Sequence, residues 1–363
     1  MPIKEKSFRI GCGRYLQERG ILNSLGEEVL RLGSSPFIVG GKTALSLTRE
    51  TIENSVKKSC NNYCIEEYLG TCNDEYAQQL AQKAKELNLD VIVGVGGGVI
   101  MDFAKLVAYF ASLPLINVPT SSATCAAYTP LSVRYTPEGK TVGSRHYEYE
   151  VDAVICDSEI LAKQPPRLLL AGVFDALAKF VEIKHRFNES TTEFPIGLNW
   201  AYHLSKVTYA DLCAKTEPAL IDMSNGLVSD NVEQTIFTSI ATTGVISGIA
   251  RGSNQTALGH KFYETTRVLF HEEAKPYLHG EIVGVGLILQ NAFNGEKSNN
   301  DDLIALMKKY DMPCSLSSIG VKPTKEALEL YYEKLLNSSA IEKDNVSECE
   351  NLRASLEYLW QLN

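Results

Sequence analysis

The sequence predicts an α/β domain followed by an all-helical one: a Rossmann-like parallel sheet over residues 1–160, then helices over residues 161–363. Three observations carry this. The 363 residues exceed one ordinary core, since domains run to about 100–200 residues. The first part alternates short β-branched apolar runs with helix-spaced stretches, the pattern of a helix-covered parallel sheet. Beyond Asp157, long amphipathic stretches succeed one another without a buried-strand run between them.

In chain order, Phe37-Ile38-Val39 is a short apolar run closed by Gly40-Gly41. Asp74 to Leu87, rich in Ala, Gln, Lys and Glu, is predicted to be a helix. Val91-Ile92-Val93-Gly94-Val95 is β-branched without alternation, as befits a strand buried on both faces. Met101 to Leu113 has helical spacing, with Phe103, Leu106, Val107 and Phe110 on one side. Leu115 to Val118 and Val151 to Cys156 are two further strands. Val232 to Ile249, Glu281 to Phe293 and Lys325 to Leu336 are predicted helices. Ligands of such architectures bind at the carboxyl ends of the parallel strands or in the cleft between domains.

Composition excludes several function classes. Hydrophobic residues make up 44% and charged ones 22%, ordinary values for a globular chain. Lys and Arg number 35 against 44 Asp and Glu, a net charge of −9. Without a basic block this argues against nucleic acid, whose affinity rests on neutralising phosphates. The longest apolar run, Val91 to Val99, is too short and Gly-rich to span a bilayer, and the first residues hold no apolar secretory segment. Nine cysteines are scattered from Cys12 to Cys349. Cys60, Cys64 and Cys72 hint at a metal cluster, but no second pair or nearby His completes one. Reduced thiols in a cytoplasmic protein are the expectation.

Gly94-Val95-Gly96-Gly97-Gly98-Val99-Ile100-Met101-Asp102 joins a strand to a helix. Glycines there let backbone N–H groups approach a pyrophosphate at a helix N-terminus. The standard dinucleotide fingerprint fails, because Val99 stands where it needs Gly and no acid follows at the expected distance. By spacing alone, a triple glycine also serves a tight turn. Asp102 would repel a pyrophosphate, so its expected role is to hold a glycine N–H or to orient Lys105.

Six histidines can be weighed singly. His146, His185, His203 and His271 have polar or charged neighbours, and the surface is their expected place. His260 follows the small residues Thr256-Ala257-Leu258-Gly259, and His279 opens the glycine-spaced apolar stretch Gly280 to Gly286. Asp175 stands in the apolar stretch Ala171 to Phe180, where it reads either as a metal ligand or as a helix N-cap. Two histidines and a carboxylate with an open position suit Zn²⁺ or Fe²⁺. Spacing alone does not bring them together.

In order, these segments resemble the iron-containing alcohol dehydrogenase superfamily, in its glycerol-dehydrogenase-like branch. The matching pieces are Gly96 to Lys105, Val118 to Thr124, Pro130 to Tyr135, Phe174 to Lys179, and the surroundings of His260 and His279. The resemblance implies a nucleotide-binding α/β domain, a helical metal-binding domain and an active site between them, the dehydroquinate-synthase-like fold. It implies Asp175, His260 and His279 as metal ligands and catalytic centre. It places Gly96, Gly97, Gly98, Asp102 and Lys105 at the pyrophosphate, and Thr120, Ser121, Thr129, Leu131 and Tyr135 along the rest of the cofactor.

The departures bear on the substrate. Cys125 stands where glycerol dehydrogenases carry an Asp that touches the polyol, and a thiol is a weak hydrogen-bonding partner. Val99 replaces the usual residue after the third glycine, and Tyr263 replaces a second His. The segment Ala123 to Val133 and His146-Tyr147-Glu148 resemble the hydroxycarboxylate dehydrogenases of the branch. The expectation is therefore a metal-dependent, NAD- or NADP-linked oxidoreductase that transfers a hydride between nicotinamide and a small 2-oxo or 2-hydroxy acid. Glycerol dehydrogenase is the alternative. Arg251 is a candidate for the substrate carboxylate, and Lys42, after Gly40-Gly41, leaves NADP open. A homo-oligomer is implied as well. Two further classes compete: a dehydroquinate-synthase-type lyase, which needs more phosphate-binding cations than Lys179 and Arg251, and a nucleotide-binding protein without turnover.

Overall fold

The computed structural model describes residues 10–186, 196–250 and 255–362. Its strands are β1 (Tyr15–Glu18), β2 (Pro36–Gly40), β3 (Cys64–Glu67), β4 (Val91–Gly96), β5 (Leu115–Pro119), β6 (Leu131–Tyr135), β7 (Thr141–His146) and β8 (Ala153–Asp157). Six form one sheet in the order β1-β8-β5-β4-β2-β3, and every neighbouring pair is parallel. Strands β2, β4, β5 and β8 are buried at every residue, which explains why they are rich in Val and Ile without alternating polar positions. One core lies against Leu22, Leu25, Val29, Ile52 and Val56.

The edge strands β1 (YLQE) and β3 (CIEE) are only partly buried. Their mixed composition carries no apolar run, so the periodicity left them out. The β6–β7 pair was also absent from the expectation. It is an antiparallel hairpin with Leu131 opposite His146, whose turn uses Gly139 at φ 87. The helix after β4 spans Gly98–Ala111 and so starts three residues before Met101. The Asp74–Glu86 helix is capped by Asn73, whose side chain accepts from the Tyr76 N–H at 3.0 Å.

The chain runs from β2 out to β3, then returns to β4 on the other side of β2 and goes on to β5. The strand order therefore reverses between β2 and β4, whose carboxyl ends are Gly40 and Gly96. Open parallel sheets take their ligands at such a reversal.

The chain divides into two compact units. The α/β unit holds Arg9–Pro165 and also Lys215–Val245. It thus takes in a later stretch, because the Asp230–Phe237 helix packs beside β1. There Gln17 donates to the Glu233 carbonyl at 2.7 Å, and the Tyr15 and Phe237 rings meet edge-on at 5.5 Å. The predicted helix Val232 to Ile249 is interrupted by a π-turn over Thr238–Thr242.

The second unit comprises Pro166–Ala214 and Ile246–Asn363, and its described residues form helices and short turns with no strand. The Lys325–Leu336 helix has the predicted bounds. No helix among the described residues is long and apolar enough to cross a membrane. Helix His279–Phe293 packs against both Pro166–Arg186 and Leu258–Leu269, and glycines set the approach. A Cβ at Gly280 would stand 1.8 Å from the Ala171 carbonyl oxygen, and one at Gly286 would stand 2.4 Å from that of Gly259. Neither neighbour is a side chain that can swing away. Gly280→Ala should therefore lower stability by about 1–3 kcal/mol or more, read as an earlier denaturation midpoint. Gly41→Ala, whose Cβ would meet Ile100 at an ordinary 3.5 Å, should change the midpoint little.

Candidate functional site

In the α/β unit the glycine turn follows β4 at the reversal of the sheet. Its glycines divide the work. A Cβ at Gly94 or Gly96 would come within 2.5 Å of Ala104 and 2.8 Å of Ile100, so these two let the next helix lie close on the sheet. Gly97 and Gly98 instead face the loop after β5. Their Cβ positions lie 3.9 Å from Ser121 and 3.1 Å from Thr124 Oγ1, and Thr120 N–H donates to the Gly96 carbonyl at 2.9 Å. The N-cap is Gly97, which brings no side chain to the first-turn N–H groups, the ones that suit an anion.

Asp102 and Lys105 form an ion pair of 2.8 Å. Asp102 also accepts from the Val133 N–H at 3.0 Å. Lys105 is 2% exposed; its ammonium donates to the carbonyls of Ala126 (2.8 Å), Thr129 (3.0 Å) and Leu131. It is thus spent on fastening the segment that carries Thr129 and Leu131. Tyr135, at the end of β6, is half-buried and donates its N–H to Cys72. The half-buried Cys125 follows Thr124 in the same loop. Arg251 lies outside the described residues.

The helical unit brings together the three residues that spacing left apart. Asp175, His260 and His279 each offer a donor atom, all within 4.8 Å of one another. Asp175 Oδ1 lies 3.2 Å from His260 Nε2 and 3.5 Å from His279 Nε2. Neighbouring corners of a tetrahedral site with metal–nitrogen bonds of about 2.0–2.1 Å are about 3.3 Å apart, so this donor set fits a divalent ion. Asp175 sits in the middle of helix Pro166–Arg186, which overturns the N-cap reading. His260 is in the first turn of Leu258–Leu269 and His279 opens His279–Phe293, so three helices each supply one candidate ligand. His279 keeps 30% of its side chain exposed and packs in a T-shaped contact with the Tyr263 ring, centroids 4.2 Å apart, which gives Tyr263 a packing role.

Glu182 was not singled out from the sequence, yet it organises this cluster. It is 0% exposed and accepts from the N–H groups of Ala257 (2.7 Å) and His260 (2.8 Å), and from His260 Nδ1 (2.5 Å). The carboxylate fixes the ring and turns Nε2 toward Asp175, as carboxylate–histidine pairs around metals do. The signal was present: Asp175, Lys179 and Glu182 recur at i, i+4 and i+7 in an apolar helix and so share one face. Burial alone would raise the Glu182 pKa, but the His260 ring outweighs it and leaves the acid below its ordinary value. For Asp175 burial is again outweighed, by the Lys179 charge and the two histidines, and its pKa falls well below the usual range. Burial works to lower the His260 pKa, and Glu182 beside it turns the balance upward. Glu182→Gln would put an amide N–H against His260 Nδ1 or cost the two backbone bonds. It should weaken Zn²⁺ binding about 10–100-fold in calorimetric titration of the metal-free protein, with the helical content kept.

A family model for iron-containing alcohol dehydrogenase matches residues 12–158. The chain is 32% identical to a glycerol dehydrogenase of Thermotoga maritima over 315 residues, 85% of this chain and 84% of that protein. It is 30% identical to hydroxycarboxylate dehydrogenase A of Escherichia coli over 332 residues, 90% and 89% of the two chains. Among solved structures, a probable glycerol dehydrogenase from Sinorhizobium meliloti superposes with a TM-score of 0.80 at 22% identity, covering 98% of both chains.

Proposed function

The chain belongs to the iron-containing alcohol dehydrogenase family, and on that premise we propose that it interconverts a small 2-oxo acid and its 2-hydroxy acid. As a member it is a dehydrogenase acting on CH–OH groups, with NAD or NADP and one divalent metal ion as cofactors. The observation that carries the metal-dependent chemistry is that Asp175, His260 and His279 each bring a donor atom within 4.8 Å of the other two. When bound there, the ion (Zn²⁺ or Fe²⁺) supplies Lewis-acid polarisation of the carbonyl oxygen. Asp175, His260 and His279 hold it, and Glu182 keeps the His260 ring in register.

On the α/β side, Gly97 and Gly98 let the backbone approach the pyrophosphate, while Thr120, Ser121, Thr129, Leu131 and Tyr135 line the rest of the cofactor. Gly96, Asp102 and Lys105 keep that lining in place from behind. The oxo-acid substrate is supported by the segment Ala123 to Val133, with Cys125 in place of the polyol-binding Asp, and by the likeness to hydroxycarboxylate dehydrogenase A. The second reading, a glycerol dehydrogenase, is favoured by the 32% identity to the Thermotoga maritima enzyme.

The test is oxidation of NADH and NADPH by metal-reconstituted protein with 2-oxoglutarate and 2-oxobutanoate, beside glycerol with NAD⁺. Oxo-acid reduction abolished by EDTA is the expected result; glycerol turnover alone would return the chain to the polyol dehydrogenases. Cys125→Asp should then gain glycerol oxidation, and an unchanged substrate profile would remove Cys125 from the argument.

A further inference from the structure

Lys179 takes no part in holding the candidate metal, yet its ammonium is buried against that site. It lies one turn after Asp175 on the same face of helix Pro166–Arg186 and is 5% exposed. Among the described residues its polar neighbours are His260 Nε2 at 3.4 Å and Asp175 Oδ1 at 4.0 Å. These are the same two atoms that face the candidate metal position. Once they serve as ligands the single lone pair of His260 Nε2 is committed and the Asp175 charge is shared with the ion, so that among the described residues Lys179 is left without a counter-charge of its own. A buried cation without a counter-charge is costly.

The charges of the site point the same way. Among the described residues, the carboxylates of Asp175 and Glu182 together balance a divalent ion, which leaves the Lys179 charge over. The Arg167–Glu281 pair at 2.6 Å is neutral by itself, and Tyr263 brings no charge. A glycerol molecule would leave the surplus uncompensated, whereas a monocarboxylate cancels it. We propose that Lys179 is the substrate-binding cation of this site, pairing with the carboxylate of a small 2-oxo acid whose carbonyl lies at the metal centre. The proposal rests on the oxo-acid reading above and gives it a residue that selects charge.

The test uses the full chain loaded with Co²⁺, whose visible absorption reports ligands entering the site. The probes are oxamate, an unreactive analogue of a 2-oxo acid, and its neutral counterpart oxamide. Wild-type protein should bind oxamate at least tenfold more tightly than oxamide. Lys179→Met should weaken oxamate about 30-fold or more, the scale of truncating one partner of a buried charge pair, while leaving oxamide unchanged. Lys179→Arg should keep most of the oxamate affinity. Zn²⁺ titration of metal-free Lys179→Met should give affinity equal to or tighter than wild type, since a positive charge beside the ligands is gone.

Unchanged oxamate binding in Lys179→Met overturns the assignment, and where wild type still reduces oxo acids the substrate reading survives it. Loss of Zn²⁺ binding by Lys179→Met also overturns it, making the lysine a support for the ligands. Should Lys179→Met not fold, the wild-type comparison decides, and absence of an oxamate preference overturns the assignment. Wild type that ignores oxamate and oxidises glycerol sinks both the assignment and the oxo-acid reading.

Discussion

The Glu182 carboxylate holds three donors that belong to one short stretch of chain: the N–H groups of Ala257 and His260 and the His260 ring. A carboxylate removed from water survives only when its lone pairs are used, so the Ala257–His260 turn cannot shift without stranding a buried charge. This ties helix Leu258–Leu269 to helix Pro166–Arg186 at the level where Asp175 also projects. The arrangement of the metal donors follows from it. The third donor, His279, is brought in by backbone contact rather than by charge, because Gly280 and Gly286 let its helix lie against the Ala171 and Gly259 carbonyls.

The α/β unit uses the same physics with the sign reversed. Lys105 is a buried cation that gathers the carbonyls of Ala126, Thr129 and Leu131 while Asp102 neutralises it. In each unit one buried charge orders a piece of irregular backbone that regular hydrogen bonding would leave free. In one case that backbone presents a candidate metal ligand, and in the other it carries the candidate cofactor-lining residues. Lys179 is the contrasting case, a buried charge whose neighbours are themselves candidate ligands, which is why it has a counter-ion to gain.

Where the fold was legible in the sequence, a single physical pressure acted on a contiguous stretch. Strands β2, β4, β5 and β8 are buried on both faces and are mostly apolar, the buried Asn117 of β5 being satisfied by the Ala127 carbonyl; the Lys325–Leu336 helix has a clear start at its Thr324 cap. The edge strands β1 and β3 and the β6–β7 hairpin escaped because half-exposed strands tolerate polar residues. The return of Lys215–Val245 to the first unit escaped because it depends on long-range packing beside β1. At the site, the residue types of Asp175, His260 and His279 were legible, and their place in family-like segments suggested a common role. Glu182 was not, because an acid within a helix looks like any other until the residues whose N–H groups it accepts, 75 and 78 positions away, are known.

Asp175, His260 and His279 form one candidate metal centre, and anomalous diffraction from crystals soaked in Zn²⁺ tests it most directly. The expected result is one anomalous peak per chain, about 2.0–2.2 Å from Asp175 Oδ1, His260 Nε2 and His279 Nε2, with Glu182 still against His260 Nδ1. A peak on the cysteines instead, or no peak at these donors at saturating Zn²⁺, would contradict it.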